Sequence, residues 1–256
     1  MAKVHRVQFP PGETNDIAQD EAYFYLREGD KKRRIRLHDY DKLYEVPGLY
    51  EQVLYDRLKC QSPSKVSEIL NAAVSQTEEY VTELRVLDFG AGNGMMGEAL
   101  KNYGVSRIVG VDIIDEAYKA TERDRPGVYD AYYIADFSNL SKEQHEDLKS
   151  WCLNCLTTVA ALGFGDIPPQ AFAEAFNIIQ DHGWVAFNIK ETFLDNRDET
   201  GFSKLNRELI LSEFLDIYYL ERYRHRLSIT GEPLYYYALA GRKNGNIPKG
   251  FLQSLG

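Results

Sequence analysis

Short apolar runs alternate with stripes of helix-spaced apolar residues along most of this 256-residue chain. The runs are typical of strands buried on both faces, and they predict strands at residues 85–88, 108–113, 131–135, 153–159 and 184–189. The stripes predict helices at residues 62–74, 95–100, 115–123, 141–150, 169–180 and 203–214. Two final runs, at 217–228 and 234–242, predict strands joined by a turn at Thr230-Gly231-Glu232-Pro233.

Strands that alternate with helices form doubly wound, mostly parallel sheets. We therefore expect an α/β fold in which the final hairpin adds one antiparallel strand to the sheet. The first 61 residues differ: they predict a hairpin across Gly29-Asp30 and, within 40–59, two short helices separated by Pro47-Gly48. We divide the chain into an N-terminal extension or lid segment (1–61), a main domain (62–242) and a C-terminal tail (243–256).

Charge and cysteine content narrow the function. A formal net charge of −9 disfavours binding to phosphate backbones, so we expect no nucleic-acid partner. The Cys152-Leu153-Asn154-Cys155 spacing suits metal or redox chemistry only with a second Cys/His pair, so we interpret both cysteines as buried strand residues and predict no metal site. No apolar stretch has secretory or membrane-spanning length, which predicts a cytoplasmic protein without a membrane partner.

The most informative segment is the glycine-rich turn in Val86-Leu87-Asp88-Phe89-Gly90-Ala91-Gly92-Asn93-Gly94. It joins a predicted strand to a predicted helix that starts near Met95. Glycines allow positive φ values and close approach of a ligand, and ligands of doubly wound sheets bind at the carboxyl ends of the strands. The turn is therefore the predicted cofactor site.

Two cofactor classes compete for this turn. Gly92-Asn93-Gly94-Met95-Met96-Gly97 matches the Gly-x-Gly-x-x-Gly pattern of nicotinamide-dependent dehydrogenases. That pattern normally follows its strand directly, whereas here it begins four residues after Asp88. A carboxylate at the strand end is also unfavourable next to pyrophosphate and favourable next to an ammonium group. Asp88 therefore favours S-adenosylmethionine, which carries an ammonium and a sulfonium group and no phosphate.

Two further acids follow the next two predicted strands. Asp112, about 20 residues beyond the turn, can accept hydrogen bonds from both ribose hydroxyls of a nucleoside cofactor. Asp136 can bind the adenine amino group, and Phe137 offers a backbone N–H or its ring edge. One acid at the end of each of three successive strands predicts one continuous site.

These motifs resemble those of class I, seven-stranded S-adenosylmethionine-dependent methyltransferases over residues 62–242, and more narrowly the Williams–Beuren syndrome region methyltransferase-like group. The stretches that carry the likeness are Leu87–Leu100, Gly110-Val111-Asp112, Ala160-Ala161-Leu162-Gly163, the Tyr40–Glu51 segment and Lys59-Cys60-Gln61-Ser62-Pro63. The resemblance implies a Rossmann-like methyltransferase fold with a reversed last strand. It also implies a cofactor-binding set: Tyr40, Asp88, Gly90, Ala91, Gly92, Asp112, Ile113, Asp136, Phe137 and Val159.

In that likeness, Gly90 and Gly92 pack under the methionyl part of the cofactor, Asp88 supports the turn, and Val159 lies beside the methyl group that is transferred. Tyr40 or Tyr50 closes over the cofactor. The Asp166-Ile167-Pro168-Pro169 stretch differs from the Asn/Asp-Pro-Pro-aromatic motif of nucleic-acid amino-methyltransferases, and we interpret it as the start of a helix.

The expected activity is in-line transfer of the methyl group to a small-molecule acceptor. No catalytic residue is distinguished by its spacing, and the candidate general bases are His38, Tyr44, Tyr50, Lys190 and Glu191. A non-catalytic S-adenosylmethionine-binding protein and, further off, a nicotinamide-dependent dehydrogenase remain alternatives.

Overall fold

The computed structural model describes residues 4–11, 17–162, 166–194, 212–248 and 250–251. Its N-terminal part contains an antiparallel sheet of three strands in the order β1-β2-β3: β1 Arg6–Gln8, β2 Tyr23–Glu28 and β3 Lys31–Arg36. The predicted hairpin across Gly29-Asp30 is confirmed, because β2 and β3 pair in register on either side of this turn.

Two short helices follow, as predicted, on either side of Pro47-Gly48. They are α1 (Tyr40–Glu45) and α2 (Leu49–Glu51), and α2 continues into a π-helical segment, Gln52–Arg57. The buried side chains of β2, β3 and these helices form a small hydrophobic core of their own, around Phe24, Ile35 and Val53. The N-terminal sheet and the two helices are therefore held together as one packed unit.

The main sheet has seven strands in the order β6-β5-β4-β7-β8-β10-β9. They are β4 Arg85–Phe89, β5 Arg107–Asp112, β6 Ala131–Ile134, β7 Cys155–Thr158, β8 Trp184–Lys190, β9 Leu215–Leu227 and β10 Pro233–Lys243. Strands β4 to β8 pair in parallel, and β10 runs antiparallel to both β8 and β9. The predicted mostly parallel sheet with a reversed last strand is confirmed.

Helices cover both faces of this sheet: α3 Ser62–Val74, α4 Met95–Asn102, α5 Asp115–Asp124, α6 Lys142–Ser150 and α7 Pro169–Ile178. One core contains the apolar faces of α6 and α7, with Phe172 and Phe176 fully buried. The other contains α3 and α4, including Ile69 and Leu100. The predicted helix at 203–214 falls mainly on 203–211, outside the described residues.

The structure corrects two local interpretations. Cys155 is buried in β7 as predicted, but Cys152 is exposed, because it lies before the strand at a positive φ of 51°. A serine at the start of a helix-spaced apolar stripe predicts an N-cap, but Ser62 is the first helical residue of α3, and its hydroxyl group hydrogen-bonds to Tyr223 (2.7 Å) and to His225 (2.5 Å) on β9. Pro63 stands in the first turn of α3, where proline is favoured because its missing N–H needs no partner there.

The pairing of β9 with β10 contains a β-bulge. Leu234 pairs with Arg226 and Tyr235 pairs with Arg224, so His225 has no partner of its own. An extra residue in one strand changes the direction of the side chains around it. Both His225 and Arg226 are consequently buried, although neighbouring strand residues normally point to opposite faces.

Among the described residues, no helix combines the length and apolarity needed to cross a membrane.

Candidate functional site

A cavity of about 280 Å³ lies at the carboxyl ends of β4, β5, β6 and β7, and residues of α1 and α2 line its other side. Seven of the ten predicted cofactor-binding residues line it: Tyr40, Gly90, Asp112, Ile113, Asp136, Phe137 and Val159. Ala91 and Gly92 line a small second cavity, which shares Gly90 and Val159 with the first. The fold thus brings nine residues, spread over 120 positions of the sequence, to one place.

Asp88 lines neither cavity, because it is buried below the turn. Its carboxylate accepts hydrogen bonds from the Thr157 hydroxyl (2.9 Å) and the Tyr129 hydroxyl (2.6 Å). Burial raises the pKa of Asp88 to about 6, although these two hydrogen bonds favour the charged form. Asp88 therefore fixes the base of the turn to β7 and to the segment before β6.

The turn itself requires glycine at two positions that approach other residues closely. Gly90 and Gly92 have φ values of +78° and +54°. A Cβ atom on Gly90 would lie 2.9 Å from the Ala161 Cβ, and one on Gly92 would lie 2.5 Å from the Tyr44 hydroxyl. The turn is thus enclosed between the loop after β7 and α1, with no room for a side chain.

Asp112 stands at the end of β5 on the cavity wall. One carboxylate oxygen accepts the Gly92 N–H (2.9 Å) and the other accepts the Ile114 N–H (3.1 Å). Burial raises the pKa of Asp112, and these backbone donors counteract part of that effect. Each oxygen keeps a second lone pair for a further donor, so the carboxylate is fixed in position and still able to bind hydroxyl groups.

The segment directly after β6 contributes Asp136 and Phe137. Asp136 is exposed and accepts the Ser138 N–H (2.8 Å), whereas Phe137 is buried with its ring 4.8 Å from that of Phe89. Ile113, at the end of β5, leaves 62% of its surface exposed. Ile113 therefore offers a bound ligand an apolar surface beside the carboxylates of Asp112 and Asp136.

Aromatic side chains of α1, α2 and the π-helical segment cover the cavity. The rings of Tyr40, Tyr44, Tyr50 and Tyr55 follow one another at centroid distances of 6.2, 4.8 and 6.0 Å. Burial raises the pKa of each of these phenols well above its ordinary value. They are neutral near pH 7, which removes Tyr44 and Tyr50 as attractive candidates for the general base.

Of the five candidate bases, His38 alone combines a place on the wall of the large cavity with a carboxylate partner. Its Nδ1 lies 3.2 Å from an Asp166 carboxylate oxygen, and 15% of the His38 side chain is exposed. Lys190 lines a different cavity, and Glu191 forms an exposed ion pair with Arg222. Asp166 is a site residue that the sequence does not reveal, because the pattern of its segment predicts only a helix start, which Pro169 at the beginning of α7 confirms.

The charge of the large cavity bears on its cofactor. Among the described residues that line it are three carboxylates, Asp112, Asp136 and Asp166, and neither lysine nor arginine. Such a wall favours a ligand with ammonium or sulfonium charge and is unfavourable for pyrophosphate. The residues present therefore fit S-adenosylmethionine and do not fit a dinucleotide.

A family model described as a methyltransferase domain matches residues 87–187, from the glycine turn to β8. A comparison with curated proteins finds no match. Among solved structures, the chain is similar to an S-adenosylmethionine-dependent methyltransferase from Anabaena variabilis (14% identity; 85% of this chain and 99% of that one; TM-score 0.51). It is also similar to the type IIG restriction endonuclease BpuSI (16% identity; 72% of this chain and 25% of that one; TM-score 0.53).

A third similar structure is magnesium protoporphyrin IX methyltransferase from Synechocystis, solved with bound S-adenosylmethionine (12% identity; 71% of this chain and 79% of that one; TM-score 0.49). At such identities, the two structural matches with TM-scores above 0.5 show the fold. The match to the methyltransferase-domain model adds methyl transfer as the chemistry of the segment that contains the glycine turn.

Proposed function

We propose that this S-adenosylmethionine-dependent methyltransferase acts on a small-molecule acceptor, enclosed at the carboxyl ends of the strands. The family match supplies the class of enzyme and its cofactor; the acceptor class is our inference. The observation that carries it is that residues line the acceptor side of the cavity from two sides. There, His38, Tyr40 and Tyr50 lie on one side, and residues 159–161 and 166–168 lie on the other.

A further small cavity, of about 40 Å³ and distinct from the one lined by Ala91 and Gly92, continues this space away from the cofactor turn. It shares His38, Tyr40, Tyr50, Ala160 and Asp166 with the large cavity. A protein or nucleic-acid acceptor needs an open groove, whereas a recess of this size admits only part of a small molecule. The net charge of −9 also opposes nucleic acid.

The cofactor supplies an electrophilic methyl group on a sulfonium centre. We place its ribose at Asp112, its adenine between Ile113, Asp136 and Phe137, and its methionyl part over Gly90, Ala91 and Gly92. Val159 would lie beside the reacting methyl group, and Tyr40 would cover the cofactor. The support for this placement is the shared cavity, the fixed Asp112 carboxylate and the acidic wall.

The chain's own residues then align the acceptor and exclude water, effects that together can supply about 7–11 kcal/mol. His38 is placed to act as the general base. The His38 side chain takes the proton of an acceptor O–H, N–H or S–H group as that atom attacks the methyl carbon. Asp166 orients the ring through its contact with Nδ1 and stabilises the imidazolium that forms.

The direct test uses S-adenosylmethionine labelled with tritium in the methyl group. The protein is incubated with a cell extract that has been divided by ultrafiltration into small-molecule, protein and nucleic-acid fractions. We expect label in the small-molecule fraction alone. Label transferred to protein or to nucleic acid would contradict the proposed acceptor class.

A non-catalytic binding protein would need no acceptor recess and no base, whereas here the recess and the His38–Asp166 pair lie on the same wall. A thermal-shift assay separates the dehydrogenase alternative. S-adenosylhomocysteine should raise the melting temperature and NADH should not. The narrower likeness to the Williams–Beuren region group and a cytoplasmic location both stay predictions.

A further inference from the structure

The small cavity that continues from the large one contains a buried arginine. Arg226 leaves only 3% of its surface exposed, and it lines this cavity together with Tyr236 and His225. The β-bulge at His225 is what turns both residues inward. Bulges are over-represented beside active sites, where they redirect a side chain.

This guanidinium group has few partners. Its one side-chain hydrogen bond runs from Nη1 to the Leu227 carbonyl oxygen (2.9 Å), and it forms no ion pair with any carboxylate of the described residues. Asp166 lines the same cavity but pairs with His38. An arginine has five N–H donors, so most of its hydrogen-bonding capacity is unused.

Such burial is costly, since a charge removed from water needs a partner to compensate for its lost hydration. Burial lowers the pKa of Arg226 from its ordinary value, yet a guanidinium group remains protonated near pH 7. Burial also holds the neighbouring His225 neutral by lowering its pKa well below the ordinary value. Arg226 is therefore the one permanently cationic group among the described residues of this cavity.

A second polar group of this cavity has an unsatisfied atom. The side-chain amide oxygen of Gln19 is buried without a hydrogen-bond donor, although the amide nitrogen donates to the Tyr236 hydroxyl (2.9 Å). Gln19 and Arg226 line the same cavity. A buried acceptor without a donor, beside a buried cation with a single side-chain hydrogen bond, is characteristic of a ligand site rather than of a structural core.

We infer that Arg226 binds a carboxylate group of the methyl acceptor. The inference rests on the proposed small-molecule methyl transfer, and it adds the chemical class of the substrate. A carboxylate matches the planar fork of a single guanidinium, and its size suits a recess of about 40 Å³. A phosphate group carries close to two negative charges, and this recess offers one cation. The nucleophilic atom of the acceptor then lies towards His38, where the two cavities meet.

The test measures binding of matched acids and amides by calorimetry at saturating S-adenosylhomocysteine. The probes are acetate and acetamide, 4-hydroxybenzoate and 4-hydroxybenzamide, and 3-(4-hydroxyphenyl)propionate and its amide, with inorganic phosphate as a further anion. We expect at least one acid to bind about 10- to 100-fold more tightly than its amide. Arg226→Met should abolish this preference, and Arg226→Lys should keep part of it.

Arg224→Met is the matched control, because Arg224 lies on the same strand with an exposed side chain. It should keep the full preference for the acid. The inference is overturned if no acid binds better than its amide, if the preference survives in Arg226→Met, or if phosphate binds better than every carboxylate.

Thermal unfolding without ligand gives an independent measurement. Replacing an unpaired buried charge with an apolar side chain of similar size is often neutral or stabilising, so Arg226→Met should melt at or above the wild-type temperature. A large decrease would show that Arg226 serves a structural ion pair, which would contradict the inference. Because these readouts need no methyl transfer, the labelling experiment can fail while the acid preference holds, or the reverse.

Discussion

The two connected cavities differ in charge and in the kind of strand that builds them. The large one lies at the ends of parallel strands and is lined by three carboxylates without a lysine or arginine among its described residues. The small one lies against the antiparallel pair β9 and β10 and contains the buried cation Arg226. His38 and Asp166 line both.

This difference agrees with the two proposals. Under them, the acidic end would stabilise a cationic methyl donor, and Arg226 would stabilise an anionic acceptor. The residues shared by both cavities stand where the two reactants meet.

His38→Asn acts at the junction of the two cavities. Asparagine can keep a hydrogen bond to Asp166 but cannot take up the acceptor proton, so methyl transfer should fall about 100-fold or more. The labelled small-molecule product gives the rate, and calorimetry with S-adenosylhomocysteine gives the control, which should be unchanged. A variant with the wild-type rate would remove His38 from the mechanism.

Asp88→Asn tests the raised pKa of the carboxyl group that is buried below the glycine turn. With a native pKa of about 6 against 3.8 for the ordinary group, native Asp88 binds more protons than unfolded Asp88 between these values. The stabilisation that protonated Asp88 contributes to the folded state is therefore fully present below about pH 4, and it is lost as the pH rises to about 6. The unfolding free energy of wild type relative to Asp88→Asn should fall by about 3 kcal/mol over that window. Urea titrations at pH 4 and pH 7 measure it; a constant difference would contradict the shifted pKa.

Asp112→Asn tests the proposed ribose contact. The change removes the charge and one acceptor, so the affinity for S-adenosylhomocysteine should weaken by about 1.5–3 kcal/mol. Asp115→Asn is the matched control, an exposed acid three residues away that pairs with Lys119. Calorimetry should show the wild-type affinity for the control variant. Equal affinities for all three proteins would count against the ribose assignment.

Gly92→Ala separates backbone strain from crowding at the turn. Alanine in the left-handed region costs about 1–2 kcal/mol, and here its Cβ also meets the Tyr44 hydroxyl. Gly127→Ala, at a φ of +72° with nothing within 4 Å, isolates the backbone cost. Gly92→Ala should therefore destabilise more than Gly127→Ala, and adding Tyr44→Phe should reduce the excess. No excess would show that Tyr44 does not press on the turn.

Most of the fold could be predicted from the sequence because its signals are local. Apolar runs and stripes reflect strand and helix periodicity, and they placed every described strand of the main sheet and both strands of the N-terminal hairpin. The role of Ser62 could not be predicted in this way. Its residue type favours a helix cap, but its hydroxyl group hydrogen-bonds to Tyr223 and His225, more than 160 positions away.

The site divides in the same way. The sequence alone indicated two of the three carboxylates of the acidic end, Asp112 and Asp136, because they come at the ends of successive strands and parallel strands bring their carboxyl ends to one edge; it did not indicate Asp166. Only the tertiary structure decided the other end. The contact between His38 and Asp166 joins residues 128 positions apart, and the burial of Arg226 depends on one extra residue in the pairing of β9 with β10. Neither a long-range contact nor a bulge leaves a periodic trace in the sequence, because both arise from how finished elements pack.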